Sequence, residues 1–358
     1  MVSARQVLTE QVVAARTPAV QYRFVGPDTV IFRHDEGLAD VPRGVPVSSA
    51  TTYNGFSVTK TFTAMAILQL AEQGALALDR PAAEYLPDFP YSSEITIRHL
   101  LTHSAGIPNP IPLSWIHLRE EHSSFDRDEF FQALFERHRR TRASPNTRFG
   151  YSNLGYVLLG RIIEQVSGHN YEQYITENIV EPLGLSPEDL GFASYDTLQA
   201  TGYHRRNSFS YLMLGLFLNR SKYMEPAADG WHAFRPYYLN GAAYGGLIGT
   251  ADGFARYVQA LLDPASGLLS AESRQILFTE NVLQGGKPSG MSHSWFRGEL
   301  DGHEYHAHAG GGGGYYAEVR IYPELHRGSV IFFNRSGMSD ERFLDRVDRH
   351  VLRGQADL

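Results

Sequence analysis

Residues 57–74, S-V-T-K-T-F-T-A-M-A-I-L-Q-L-A-E-Q-G, constrain the fold of this chain more than any other stretch. Alanine and leucine recur through it, and neither Pro nor Gly interrupts it until Gly74, which can close a helix as a left-handed residue. One helix is therefore expected, with Ser57 at its start. Lys60 follows three residues later, one helical turn on, so its side chain can reach back over the Ser57 hydroxyl.

A serine hydroxyl is a poor nucleophile at neutral pH, and a neighbouring base or cation is the usual way to activate it. The positive end of the helix also favours developing negative charge. The plainer reading of S-x-x-K is a serine cap beside a solvated lysine, and the motif gains meaning only from its context.

The 358 residues leave room for one large domain, or for two closely built subdomains around a sizeable core. Lys plus Arg number 32 against 39 Asp plus Glu, a net charge of -7 with no basic run, so nucleic acid is not an expected partner. Cysteine is absent, which excludes disulfides, thiolate metal sites and a cysteine nucleophile together. The first 16 residues read as an amphipathic helix with charges throughout rather than as an apolar leader. The longest strongly apolar run, residues 211–218, is far too short to span a bilayer. A cytoplasmic protein with no membrane partner is expected.

Residues 19–26 and 29–34 are β-rich and separated by Pro27 and Asp28, the pattern of a hairpin. Helices are expected over residues 95–104, 127–139, 151–168, 171–179 and 252–262. Strands are expected over 292–300, 304–308, 317–322 and 329–334, and an amphipathic helix over 340–352. Periodic signals fade between residues 197 and 241, where loops and a pocket wall are expected. Within that stretch, the aromatic and aliphatic residues 209–218 suit an acyl pocket, although ordinary subdomain core is the preferred reading. Strands and a helix at each end with a helical middle predict an α/β (α+β) fold. Its antiparallel sheet is built from both termini and flanked by helices, with an inserted all-α subdomain. Residues 1–358 are taken as one domain, the sheet from 1–50 and 245–358 and the mainly helical part from 51–244.

His99 and His103 are four apart, which would put both on one helical face and invites a zinc reading. Leu-Leu-Thr lies between them, however, with no glutamate to serve as a base, so packing or capping roles are preferred. His303, His306 and His308 raise the same question. Only His306 and His308 share a strand face, and no third ligand is evident, so no metal and no cofactor are expected.

Two further groupings carry chemistry. Tyr151-Ser152-Asn153 sets a phenol beside an amide that can both donate and accept. A phenol becomes a useful base only if its pKa is lowered, and a cation such as Lys60 is the kind of neighbour that does this. The plain alternative is a buried tyrosine starting a helix. In the run from His306 to Gly314, H-A-H-A-G-G-G-G-G, glycines follow a β-like segment and permit close approach of a ligand to backbone N–H groups. A simple glycine-rich turn would look much the same.

Taken in order, S-x-x-K, Y-x-N and H-x-G resemble the serine β-lactamase and penicillin-binding-protein superfamily. They are most similar to its class C β-lactamase-like branch, with family VIII carboxylesterases, DD-peptidases and D-aminopeptidases. The segment I-T-I-R-H-L-L-T-H-S-A-G-I-P from Ile95, the glycine-rich residues 244–250 and residues 319–334 extend the resemblance over most of the chain from Asn54 onward.

The resemblance implies a β-lactamase/transpeptidase-like fold and an acyl-enzyme on Ser57. Lys60 and Tyr151 would share proton transfer, and either one could be the general base. Asn153, His308 and Gly310 would bind substrate, and the N–H groups of Ser57 and Gly311 would form the oxyanion hole. Where class C β-lactamases carry lysine in K-T-G, this chain has His308, which near neutral pH would be only partly charged. That departure weakens the case for an efficient β-lactamase without excluding peptide or β-lactam substrates, since DD-peptidase relatives use H-x-G. With no secretion signal read at the N-terminus, an intracellular serine hydrolase of small carboxylic esters fits both observations. The alternatives are an amide-directed relative (a weak β-lactamase, DD-peptidase or D-aminopeptidase), an acyltransferase, or an idle binding module of the same fold.

Overall fold

The computed structural model describes residues 2–195, 197–338 and 342–355. Its main sheet has seven strands: β1 (Ala19–Val25), β2 (Val30–Asp40), β3 (Val45–Pro46), β4 (Phe296–Leu300), β5 (His303–Gly312), β6 (Tyr315–Tyr322) and β7 (Arg327–Phe333). Their spatial order is β4-β5-β6-β7-β1-β2-β3, with every neighbour antiparallel. The hairpin read from the sequence is present, closed by the Gly26 N–H donating to the Thr29 carbonyl at 2.9 Å. Every residue of β1 is buried, so both of its edges need partners. One is the adjacent β2 and the other is β7, some 300 positions later, which ties the two chain ends into one sheet.

Five helices place the site: α1 (Ala4–Val13), α2 (Thr59–Glu72), α3 (Asn153–Ser167), α4 (Ala251–Leu262) and α5 (Leu344–Leu352). Ala4 and Leu8 of α1 and Leu344 and Val347 of α5 pack with Val20, Tyr22 and Phe24 on one face of the sheet. The start expected for α5, Asp340, lies outside the described residues. On the opposite face α4 packs against β1 and β7. There the fully buried Arg23 is neutralised by Asp252 of α4 at 2.6 Å and by Asp35 at 2.7 Å. Two carboxylates are what make a buried guanidinium tolerable at that position.

The insert is mainly helical, as expected, but it also holds strands of two to four residues. Ile116–Leu118 pairs with Tyr237–Leu239, and Tyr203–Arg205, Met224–Pro226 and Trp231–Phe234 form a small sheet of their own. Segments this short carry no readable alternation, which is why an all-α insert was expected. At the centre, α2 is buried from Thr59 to Leu70 and stacks Phe62 on Tyr257 of α4 with ring centroids 3.7 Å apart. In α3, a Cβ at position 160 would sit 2.6 Å from that of Ala243, so only Gly160 lets the short helix Ala242–Gly245 come close. That approach brings Tyr244 to the site. No helix among the described residues is long and apolar enough to cross a membrane.

Candidate active site

Ser57 sits in the 3-10 turn Phe56–Val58, which runs directly into α2, rather than on the α-helix itself. Phe56 precedes it at φ 46, a left-handed conformation that bulky residues rarely adopt. No side-chain cap occurs at the start of the turn or of α2, so the plain reading of Ser57 as a helix cap does not hold. The Lys60 Nζ instead lies 3.0 Å from Ser57 Oγ and donates to the Tyr244 carbonyl at 2.6 Å.

Lys60 is fully buried among the rings of Tyr151, Tyr156 and Tyr244, with Nζ 5.1, 5.5 and 5.5 Å from their centroids. Burial alone drives its pKa well below the ordinary lysine value. Burial thus shifts Lys60 toward the neutral amine, whose lone pair would lie within hydrogen-bond reach of Ser57. A solvated lysine is the opposite of what the fold produces.

Tyr151 lies just before α3, because Ser152 caps the helix by accepting from the Gly155 N–H. The Ser152 N–H donates in turn to His103 Nδ1 at 3.1 Å, and the His103 ring lies against Tyr151 with centroids 4.2 Å apart. His103 stands beyond the helix Ile97–Leu101 at φ 52, so it does not share a helical face with His99. His99 caps its own helix, its Nδ1 accepting from the Thr96 N–H at 3.2 Å. Asn153 donates through N and Nδ2 to Asn109 Oδ1 at 3.0 and 3.1 Å, while its own Oδ1 is buried without a hydrogen-bond partner among the described residues. Sequence reasoning assigned nothing to Asn109 or to the Tyr244 carbonyl. No motif marks a backbone carbonyl, and Asn109 falls just past the segment that carried the resemblance.

β4 pairs with β5 only as far as Ala307, so from His308 onward that edge of β5 is open among the described residues. Gly310 packs its missing side chain against the turn: a Cβ there would stand 2.6 Å from Ser57 N and overlap the Gly55 carbonyl. Gly311 and Gly312 continue along the cleft beside Ser57. His308 is buried, with Nδ1 hydrogen-bonded to the Ser294 carbonyl and Nε2 3.5 Å from the Tyr151 hydroxyl. Burial, and then Lys60, push its pKa down to about 3. The imidazole is therefore neutral, where the sequence suggested partial charge. Among the described residues no group of His, Asp and Glu is arranged to hold a metal ion.

Ser57, Tyr151 and His308 open into a cleft of ≈ 1340 Å³ that also borders Phe149, Phe296 and Phe217. From residues 209–218, read from the sequence as subdomain core, Phe209, Ser210, Met213, Leu214 and Phe217 form one wall of this cleft instead. Leu214 and Leu218 anchor the segment in the core, while Phe209 is 78% exposed. Composition could not separate these roles, because a cleft wall and a core draw on the same side chains.

The family model described as Beta-lactamase matches residues 4–353. Penicillin-binding protein 4* of Bacillus subtilis (strain 168) is 27% identical over 342 residues, which cover 91% of this chain and 70% of that protein. Protein flp of Staphylococcus aureus (strain MW2) is 31% identical over 197 residues, 53% of this chain and only 39% of that protein. Among solved structures, the octameric penicillin-binding protein homologue from Pyrococcus abyssi superposes with a TM-score of 0.78 at 25% identity, covering 98% of this chain and 77% of that one. The D-amino acid amidase from Ochrobactrum anthropi SV3, complexed with D-phenylalanine, superposes at 0.79 with 22% identity over 98% and 99% of the two chains, which shows a shared fold.

Proposed function

The chain belongs to the Beta-lactamase family, and from that premise we propose that it is a serine hydrolase cleaving small carboxylic esters through an acyl-enzyme on Ser57. One observation carries this reading: the Ser57 hydroxyl lies 3.0 Å from the amine of the fully buried Lys60, whose pKa burial lowers. In this reading Lys60 takes the Ser57 proton as Oγ bonds to the substrate carbonyl carbon. The N–H groups of Ser57 and Gly311 hold the resulting oxyanion, a role in which losing one donor typically costs on the order of 100-fold or more in rate. As the carbonyl re-forms, the leaving alcohol departs with a proton from the Tyr151 hydroxyl, and the proton held on Lys60 replaces it. Water then repeats the sequence on the acyl-enzyme, returning Ser57 and releasing the acid.

His308 contributes no charge here. Its Nε2 accepts from the Tyr151 hydroxyl and holds the phenol at the cleft. The catalytic end accordingly offers neither a charged lysine nor a charged histidine to a substrate carboxylate, which favours neutral esters.

A second reading, amide-directed, draws on Asn153 Oδ1, an acceptor without a hydrogen-bond partner among the described residues. It would reach a substrate N–H only once the cleft opens to it, since Asn153 is buried and does not line the cleft. The fold shared with a D-amino acid amidase is compatible with it. The test is intact-protein mass after brief exposure to a short aryl ester, a D-phenylalanine amide and a penicillin, on wild type and Ser57→Ala, with turnover followed in parallel. An adduct or turnover confined to wild type supports the mechanism, and the ranking of kcat/KM decides between ester and amide. Neither adduct nor turnover with any of the three would overturn the hydrolase reading.

A further inference from the structure

Residues 205–222 form an arm at the mouth of the cleft. Its short helix, Phe209–Leu214, is capped by the Ser208 side chain, and Met213, Leu214 and Phe217 turn inward to line the cleft. The opposite side faces water with large apolar groups: Leu212 is 63% and Leu216 71% exposed, next to Phe209 at the rim. Exposed leucines scattered singly need no explanation, but three large apolar side chains within eight residues at the mouth of a cleft make a patch.

Charge points the same way. The chain carries a net charge of -7, yet no Asp or Glu occurs from residue 197 to 224. Arg205 lies over the Trp231 ring at 4.8 Å, and Arg220 lies over Tyr211 at 4.6 Å. Arg335 donates to the carbonyls of Arg16 and Gly337, and Arg206 is exposed. Among the described residues none of these four arginines pairs with a carboxylate, whereas Lys222 does, reaching Glu121 at 2.6 Å. The four are close enough to be felt electrostatically nearby: Arg205 helps to lower the pKa of Arg335, and Arg206 and Arg220 both help to lower that of His232, burial being the larger cause each time.

We infer that the arm is an interfacial docking element for an anionic lipid surface. Phe209, Leu212 and Leu216 enter the boundary between headgroups and acyl chains, and Arg205, Arg206, Arg220 and Arg335 face the phosphates. An apolar ester drawn from that surface passes along Met213 and Phe217 to Ser57, a last step that rests on the hydrolase reading above. The contact lies on the surface and spans nothing. It departs from the sequence expectation of no membrane partner, which tested only for a spanning segment.

Flotation with phosphatidylglycerol vesicles, against phosphatidylcholine vesicles as control, tests the docking on the full chain carrying Ser57→Ala, so that no lipid is consumed. Binding to the anionic vesicles alone, weakened by salt, is expected. Leu212→Ser with Leu216→Ser should reduce it roughly tenfold or more. Arg206→Ser with Arg220→Ser should do the same, at roughly fivefold per arginine. In the otherwise wild-type chain, Leu212→Ser with Leu216→Ser should leave turnover of a short water-soluble ester unchanged. Absence of vesicle binding, or binding that survives both pairs of substitutions, overturns the proposal. So does an oligomer that the leucine pair converts to monomers, since the face would then belong to a second copy of the chain. Failure of wild type to turn over any soluble acyl substrate sinks the hydrolase reading instead, and leaves the vesicle result to be judged separately.

Discussion

Tyr151 and His308 meet beside Ser57, the phenol oxygen 3.5 Å from Nε2, while the same imidazole is held from behind by the Ser294 carbonyl. A carbonyl can only accept, so Nδ1 carries the proton and Nε2 is left as an acceptor. Tyr151 is then the donor. With its pKa near about 3, His308 keeps this arrangement through the whole neutral range. A phenol aimed by a neutral imidazole thus stands close to a serine whose neighbouring lysine is shifted by burial away from its charged form.

Ser57→Ala should abolish acylation and turnover with the fold intact, as read by intact mass and thermal melting. Lys60→Met should keep the fold as well, because it replaces a buried amine with an apolar side chain of similar length. Its kcat should nevertheless fall by at least ~1000-fold, the scale seen when one member of a cooperating set is removed. Near-wild-type rates in either variant would mean that the nucleophile or its base is misassigned.

Gly310→Ala places a methyl 2.6 Å from Ser57 N, against backbone that cannot yield without moving the nucleophile. The expected result is loss of kcat on the order of 100-fold or more, the cost of disturbing an oxyanion donor. Gly311→Ala meets its nearest atom, the Tyr315 carbonyl, at 3.6 Å and should be far milder. Comparing kcat for the two variants checks the register of the glycine run.

His308→Lys introduces a cation where the native imidazole is neutral. Preference should shift toward carboxylate-bearing esters, measured as the ratio of kcat/KM for matched anionic and neutral substrates. An unchanged ratio would show that this position does not face the substrate. In the native protein, no inflection from His308 should appear in kcat/KM between about pH 5 and 8.

Stability should fall on mild acidification. His204, His293 and His306 are held near about 4 by burial, and His308 near about 3, against an ordinary value of 6.5. Below pH 6.5 the unfolded chain takes up protons that the folded chain refuses, so this contribution is complete above 6.5 and is lost as pH falls toward about 4. Each histidine is worth at most about 3 kcal/mol over that range. Glu318, raised to about 7 by burial, works in the opposite direction, as do Glu164 and Asp348, while burial also lowers the pKa of His34, His99, His103, His117 and His232. Melting temperatures measured from pH 7 to 4.5 should decline, and replacing His293 by Gln should flatten the slope.

Local rules made much of this protein legible. The three-residue spacing of Ser57 and Lys60, the Pro27-Asp28 turn and the glycines beside His308 each express a conformational preference within a few residues. So the closeness of Ser57 and Lys60, the hairpin and the glycine-lined edge could be read from the chain alone. The pairing of β1 with β7, the Tyr244 carbonyl on Lys60 and the Asn109 amide on Asn153 join positions far apart, and no local pattern records them. Charge states depend on those distant neighbours even more strongly. The Lys60 pKa is lowered because α3 and the Ala242–Gly245 turn exclude water from it, and His308 is neutral because the sheet and the Ser294 loop close around it. The residues at 209–218 were apolar on any reading. Only the packing of Leu214 and Leu218 into the core decided which of their neighbours turn toward the cleft and which toward water, because burial is a property of the assembled surface and not of the residue.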